Sequence, residues 1–142
     1  MRKLAFLGLV FIMLSTSLSA CSSGSESDLR MMPLDMMPAD VRSAPARVQE
    51  AYQFAAANHD LMKDIPCYCG CDASGHESNY DCYVSRVDAY GTITFEPHAI
   101  LCSICVDITQ DVMRMLRDGK SPGDARAYVD TTYSKYGISN IP

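Results

Sequence analysis

Hydrophobic positions in the last third of the chain recur every three or four residues, the spacing of one helix face. The first helix predicted there ends at Gly119, a residue type that favours helix termination. Its apolar positions are Leu101, Ile104, Cys105, Ile108, Val112, Met115 and Leu116. A second helix begins at Ser121-Pro122-Gly123-Asp124, which combines an N-cap with a first-turn proline, and it runs to Tyr136 with Gly137 closing it. The short connection predicts an antiparallel helix pair.

Helical spacing also predicts a helix from Ala46 to about Leu61, rich in alanine. The polar residues 72–82 predict a loop. Residues 83–95 are rich in β-branched and aromatic side chains around Gly91, which allows one short β-hairpin. The expected fold is therefore mainly α, a small three-helix bundle that carries a Cys-rich loop.

The apolar run from Leu4 to Leu14 differs from these helices, because it follows two basic residues and is shorter than the roughly 20 apolar residues of a membrane span. This pattern predicts a secretory signal peptide over residues 1–20. The residues Leu18-Ser19-Ala20-Cys21 resemble the bacterial lipobox. That resemblance implies a lipid on Cys21 and an extracytoplasmic protein anchored to a bacterial membrane. The alternative is an ordinary signal peptide followed by a chance cysteine.

Residues 21–45 predict a flexible tether, since they are rich in serine and interrupted by three prolines. Within the tether, residues 31–38 contain two Met-Met pairs, each followed directly by a proline. Thioether sulfur binds Cu(I), so this segment is a candidate loading arm for a metal. Loose apolar packing is the favoured interpretation. The folded domain is expected over residues 46–137, followed by a short tail, residues 138–142.

The charge of the chain narrows the classes of partner. The 142 residues carry a formal net charge of −5, and removal of residues 1–20 leaves 10 basic and 17 acidic side chains, a net charge of −7. This negative charge argues against a nucleic-acid partner, because the phosphate backbone is bound through clustered Lys and Arg, and it argues equally against a polybasic membrane contact. Hydrolase and nucleotide-binding motifs are missing. Thiol–disulfide oxidoreductase is the one enzyme class that the sequence supports.

The candidate chemistry lies in the cysteines, of which there are seven. Apart from the lipobox cysteine, they form a C-x-C-x-C group, a single cysteine and a C-x-x-C group. These are Cys67, Cys69 and Cys71, then Cys82, then Cys102 and Cys105. Three alternating cysteines bring several sulfur atoms within reach of one point, as a thiophilic metal such as Cu(I) or Zn(II) requires.

His98 extends this set of candidate ligands. If a helix begins at Pro97, then His98, Cys102 and Cys105 lie at positions i, i+4 and i+7 and share one side of it. Both cysteines would lie near the helix N-terminus, which lowers the pKa of a thiol. His76, in the polar loop, is within possible reach of a metal held there, but an exposed position is favoured for it.

Two resemblances to known families follow from these motifs. Pro66-Cys67-Tyr68-Cys69-Gly70-Cys71 resembles the signature of the bacterial PCYCGC-motif lipoproteins, and the likeness extends through most of residues 46–137. It implies a surface-anchored protein and no established activity. Residues 100–137 are similar to the thiol subunit of cytochrome c maturation, which implies a three-helix bundle that handles the thiols of apocytochrome c. The arginine that this family places before its first cysteine is absent, and no C-terminal membrane helix follows Gly137.

Three functions remain open. The leading hypothesis is binding of a soft metal ion, copper before zinc, for trafficking or sequestration. The expected ligands are Cys67, Cys69, Cys71, Cys82, His98, Cys102 and Cys105. The second is thiol–disulfide exchange in the assembly of extracytoplasmic cofactor proteins, with Cys102 as the attacking and Cys105 as the resolving thiol. The third is an interaction module stapled by disulfides. The expected partners are the membrane, through Cys21, and a client protein that receives metal or exchanges thiols.

Overall fold

The computed structural model describes residues 29–141, with Cys71 and Asp72 described through their backbone alone. The predicted signal peptide, the predicted lipidation site at Cys21 and the start of the predicted tether lie outside the described residues. This part of the chain contains six α-helices and one two-stranded antiparallel sheet. In chain order they are α1 (Ala39–Arg42), α2 (Ala46–Ala57), α3 (His59–Met62), β1 (Val84–Val87), β2 (Ile93–Phe95), α4 (His98–Leu101), α5 (Ser103–Arg117) and α6 (Pro122–Tyr133). The prediction of a mainly α fold with a short hairpin is confirmed.

Helix α5 occupies the centre and packs against both α2 and α6. Of the predicted apolar stripe, Cys105, Ile108 and Val112 are fully buried on its inner face, together with Met113, which the stripe did not include. Leu101, predicted as part of the same stripe, is 94% exposed. Helix α6 begins as predicted, because the Ser121 hydroxyl accepts a hydrogen bond from the Asp124 amide while the Asp124 carboxylate accepts one from the Ser121 amide. Among residues 29–141, no helix combines the length and apolar character needed to cross a membrane.

Two of the three predicted helices are shorter than expected. The helix predicted to reach Leu61 ends at Ala57, since Asn58 adopts φ −129° and ψ 47° and separates α2 from α3. The Asn58 side-chain amide donates to the carbonyl of Phe54, and such local bonding favours a helix end. Helix α6 ends at Tyr133 instead of Tyr136.

The second half of the predicted tether is part of the folded domain. Helix α1 lies within it, and the side chains of Met37 and Val41 are buried in the core. The Gln53 side chain on α2 donates to the carbonyl of Met32 at 2.8 Å, while the Met32 amide donates to the Gln53 carbonyl at 2.9 Å. The folded part therefore begins upstream of the predicted boundary at Ala46. Apolar side chains between the prolines explain why this stretch packs instead of remaining extended.

The hairpin connects the Cys-rich loop to the start of α4. Val84 pairs with Phe95 and Val87 with Ile93, with an irregularity in β1 between the two pairs. At the end of β2, the carbonyl of Glu96 accepts a hydrogen bond of 2.6 Å from the buried Tyr52 hydroxyl on α2. This contact fixes the chain directly before α4, the helix that carries His98.

Candidate metal centre

Three cysteine sulfur atoms form a nearly equilateral triangle between the Cys-rich loop and α5. Cys67 Sγ lies 3.3 Å from Cys69 Sγ, and each of the two lies 3.5 Å from Cys105 Sγ. These separations exceed a disulfide bond, about 2.05 Å. They approach the roughly 3.8 Å between sulfur atoms that share one tetrahedral ion at about 2.3 Å. A small outward movement of the thiols would accommodate an ion.

The loop that carries Cys67 and Cys69 is held by the C-terminal tail. The Asn140 side-chain oxygen accepts a hydrogen bond of 2.7 Å from the Cys67 amide, and the Asn140 amide donates to the Cys67 carbonyl at 3.2 Å. After Cys69, Gly70 adopts a positive φ of 79°, a backbone conformation that glycine takes without strain. The sharp turn there follows from the position of glycine within the motif.

His98, Cys102 and Cys105 do not lie on one continuous helix, so that prediction is wrong. Cys102 adopts φ −111° and ψ 99° and separates α4 from α5, with His98 the first residue of α4. The three residues still converge, because His98 Nε2 lies 3.6 Å from Cys69 Sγ. The Cys102 thiol is within hydrogen-bonding reach of the Cys69 and Cys105 side chains. The ligands therefore meet because the helix is interrupted at Cys102, and not because they share one helix face as predicted.

The side chains of Cys67, Cys69, Cys82, His98, Cys102 and Cys105 are called the Cys–His cluster below. The cluster divides into two sets of four ligand atoms, and within each set every pair of atoms lies within 4.8 Å. The first set is Cys67, Cys69, Cys82 and Cys105, and the second is Cys69, His98, Cys102 and Cys105. Four thiols, or three thiols and one imidazole, are ligand sets of structural zinc sites, and thiolate also suits Cu(I). The cluster therefore has the donors and the spacing to hold a metal ion.

Cys82, the cysteine with the least specific sequence signal, is part of the cluster. It ends the 3₁₀ turn Tyr80–Cys82, and its side chain is fully buried. Cys105 is also fully buried, and Cys67 is 1% exposed. Three of the five thiols are therefore shielded from solvent. Cys69 and Cys102 are half-buried and lie on the side open to solvent.

His76 was expected to be exposed, but it is half-buried and belongs to the site. Its ring centroid lies 5.1 Å from that of His98 in an edge-to-face arrangement. Ligand atoms of His76, Cys82 and His98 lie within 4.8 Å of one another. The His76 Nδ1 atom is buried and has no hydrogen-bond partner within the described part of the chain. The only sequence signal for it was its position inside the Cys-rich segment.

A buried hydrogen-bond network lies directly behind the cluster and fixes the backbone of Cys105. The Tyr83 hydroxyl donates to the Cys105 carbonyl at 2.8 Å and lies 2.7 Å from the Thr109 hydroxyl. Thr109 in turn donates to the Asn79 side-chain oxygen at 2.7 Å. Asn79 and Thr109 are fully buried polar residues, and their partners within this network account for that burial. The network positions one sulfur that both ligand sets share.

The predicted lowering of the Cys102 pKa is not found. The hydrogen bond with the Cys105 side chain lowers the pKa of Cys102. The hydrogen bond with Cys69 and the burial of the thiol raise this pKa by a larger amount, so the net pKa lies above its ordinary value. Cys102 occupies the N-cap of α5, where a thiolate would be favoured. The hydrogen bond with Cys69 and the burial of the thiol outweigh this helix effect.

Two further expectations concern sulfur outside the cluster. The side chain of Cys71 lies outside the described part of the structure, although the 3₁₀ turn that it begins, Cys71–Ser74, is described. In the Met-rich segment, Met37 is buried and Met31 packs against the same core, whereas Met36 is exposed. The favoured interpretation of this segment was apolar packing. The structure shows such packing for Met31 and Met37.

Fold and site together define a small helical protein with a partly buried cluster of cysteine and histidine side chains. Within that class the chain matches, over residues 10–140, the family described as proteins of unknown function with PCYCGC motif, and it belongs to that family. No curated protein and no solved structure matches the chain. The resemblance to the thiol subunit of cytochrome c maturation accordingly stays a prediction.

Proposed function

We propose that this protein binds a soft metal ion, copper in preference to zinc, through the Cys–His cluster and serves in metal trafficking or sequestration. The observation that carries the proposal is the convergence of two four-atom ligand sets from segments far apart in sequence. Five of the six side chains are thiols. Buried thiols packed this closely gain stabilisation from an ion that bonds to all of them.

The choice of copper follows from the donors. Cu(I) favours thiolate ligands, and divalent copper exceeds zinc in general affinity for sites of nitrogen and sulfur ligands. The burial of the Cys67, Cys82 and Cys105 thiols would protect Cu(I) from water. The half-buried Cys69 and Cys102 would let a partner protein approach the ion and take it by ligand exchange. A site with three buried thiols and two solvent-accessible ones suits transfer as well as storage.

The proposed location is the outer side of a bacterial membrane. The signal-like run of residues 4–14 and the lipobox resemblance at Cys21 support export and lipid attachment. A net charge of −7 without residues 1–20 leaves the lipid as the means of attachment. The partner would be a membrane-associated client that accepts the metal.

The test is metal analysis of the full chain, purified without oxygen under reducing conditions and loaded with Cu(I) or Zn(II). We expect at least one Cu(I) per chain and displacement of Zn(II) by Cu(I). The double variant Cys67→Ser with Cys69→Ser should lose binding, because it removes two corners of the sulfur triangle. Ser103→Ala, at an exposed position inside the C-x-x-C group, is the matched control and should bind like the original chain. Sub-stoichiometric metal that the double variant leaves unchanged contradicts the proposal.

Thiol–disulfide exchange has weaker support. The half-buried Cys102 and the fully buried Cys105 match the usual arrangement of attacking and resolving thiols. The raised pKa of Cys102 decreases the fraction of nucleophilic thiolate at neutral pH, however. The same raised pKa is no obstacle to a metal, which displaces the proton when it binds.

A further inference from the structure

The two ligand sets of the Cys–His cluster share Cys69 and Cys105, and each set has two further ligands of its own. Cys67 and Cys82 belong to the first set alone, and His98 and Cys102 to the second. A tetrahedral ion such as Zn(II) takes four ligands of this kind, so a single ion would leave at least two of the six side chains unused. We propose that the cluster holds two metal ions bridged by the thiolates of Cys69 and Cys105, with His76 as an additional ligand; this inference rests on the proposed function.

The separation of the shared sulfur atoms fits such a bridge. Cys69 Sγ and Cys105 Sγ lie 3.5 Å apart. Two ions placed on opposite sides of this pair, each about 2.3 Å from both sulfurs, would lie about 3.0 Å from each other. The terminal ligand atoms of each set lie within 4.8 Å of both shared sulfurs. The two sets are therefore compatible as halves of one centre.

His76 lies near one terminal ligand of each ion, Cys82 and His98, and would be an additional ligand there. Its ligand atom lies within 4.8 Å of those of Cys82, from the first set, and His98, from the second. The buried Nδ1 atom of His76 has no hydrogen-bond partner among the residues that the structure describes, and an unpaired buried polar atom is costly. A metal bond to this nitrogen would remove that cost. The orphaned nitrogen is an observation independent of the sulfur geometry.

The experiment is loading of the full chain with Cu(I), supplied as its acetonitrile complex, followed by native mass spectrometry and X-ray absorption. We expect two ions per chain and a metal–metal separation of about 3 Å, from the bridge geometry above. One ion per chain, with no metal–metal scattering, overturns the two-ion centre but leaves metal binding intact. No bound ion overturns both. These outcomes need no variant, so they do not depend on the folding of one.

Variants then test the bridge. Cys102→Ser removes a terminal ligand of one ion and should reduce the count from two ions to one. Cys69→Ser removes a shared ligand and should leave no firmly bound ion. Circular dichroism checks that both variants keep their helices. Equal losses from the two substitutions contradict the bridging role of Cys69.

His76→Ala tests the additional ligand, with His59→Ala as the matched control, because His59 lies on α3 beside Asp60 and outside all three ligand groups. We expect His76→Ala to weaken Cu(I) binding by at least about tenfold, the loss that even outer-shell partners cause. Competition with a coloured Cu(I) chelator measures this. The same affinity in the two variants overturns the assignment of His76.

Discussion

Asn140 is the residue that joins the tail to both sides of the candidate metal centre. Its side-chain oxygen accepts from the Cys67 amide at 2.7 Å, and its side-chain nitrogen donates to the His76 carbonyl at 3.0 Å. The amide of Asn140 also donates to the Cys67 carbonyl. One residue thus fixes the backbone positions of a thiol and an imidazole nine residues apart. It touches no ligand atom in these bonds and acts as a positioning residue.

Replacement of Asn140 by alanine should weaken metal binding while leaving the ligands present. The side-chain bonds to Cys67 and His76 are lost, each worth about 1 kcal/mol. Cu(I) affinity should fall about 10- to 100-fold, as for other groups that orient metal ligands. Chelator competition measures the affinity. Asn140→Asp keeps the acceptor for Cys67 and loses the donor to His76, so an intermediate affinity is expected. Unchanged affinity in Asn140→Ala would contradict the positioning role.

At the residue scale, the sequence predicted the ligands that lie close together in the chain. Cys67 and Cys69 were recognised because their spacing alone brings sulfur atoms near each other. His76 was not, because its burial depends on the contact with His98 and on the bond from Asn140, 64 residues later. Periodicity and spacing contain no information on such distant contacts.

At the element scale, the break between α4 and α5 is the feature that assembles the site. The apolar spacing continues from Leu101 to Ile104, so the sequence predicted one helix across Cys102. The structure breaks it there, and the Cys102 thiol meets Cys69 from the Cys-rich loop. The contacts that accompany this break are again distant in sequence. Gly119, by contrast, ends α5 as predicted, with a positive φ of 74°, since helix termination is a local property.

The tail after α6 approaches the Cys-rich loop so closely that only glycine fits at position 137. A Cβ atom there would lie 2.7 Å from the Tyr68 carbonyl oxygen. The sequence assigned Gly137 to the end of a helix, but α6 ends at Tyr133, and the close approach is what requires glycine. Gly137→Ala should therefore lower the free energy of unfolding by about 1–3 kcal/mol and weaken Cu(I) binding, because it moves the tail away from the loop. Chemical denaturation and chelator competition measure the two effects.

Gly123→Ala is the matched control for that substitution. Gly123 lies in the first turn of α6, where the nearest atom to a new Cβ is the Ser121 hydroxyl oxygen at 3.8 Å, an ordinary contact. Alanine favours a helix over glycine by up to about 1 kcal/mol, so stability should stay equal or rise slightly. Equal destabilisation by the two substitutions would show that the contact with Tyr68 is not the cause.

At the scale of the whole molecule, the core joins α2, the hairpin and α5 through buried tyrosines. Tyr52 and Tyr83 are both fully buried, and their rings meet edge to face with centroids 4.9 Å apart. Burial raises the pKa of both hydroxyls, because the charged form is poorly solvated inside the protein. The sequence predicted the order of the helices from local patterns, but not the central place of α5, which depends on how the helices pack.

These tyrosines should make the metal-free protein sensitive to base. A raised pKa in the folded state means that their stabilising effect is complete below pH 10, the ordinary tyrosine pKa, and is lost as the pH rises above it. Each buried tyrosine that ionises only on unfolding should cost about 1.4 kcal/mol per pH unit there. Denaturant titrations of the reduced chain at pH 9 and pH 11 measure the loss.

Tyr83→Phe separates this effect from the ionisation of other groups. The variant should be less stable at pH 9, because the bond to the Cys105 carbonyl is gone, but it should lose less stability than the original chain between pH 9 and pH 11. Tyr90→Phe, at a side chain that is 95% exposed, should lose as much as the original chain. Equal losses of stability between pH 9 and pH 11 in all three proteins would contradict this prediction, because they would mean that Tyr83 ionises without unfolding. The complete burial of Tyr83 behind the Cys–His cluster argues against such ionisation.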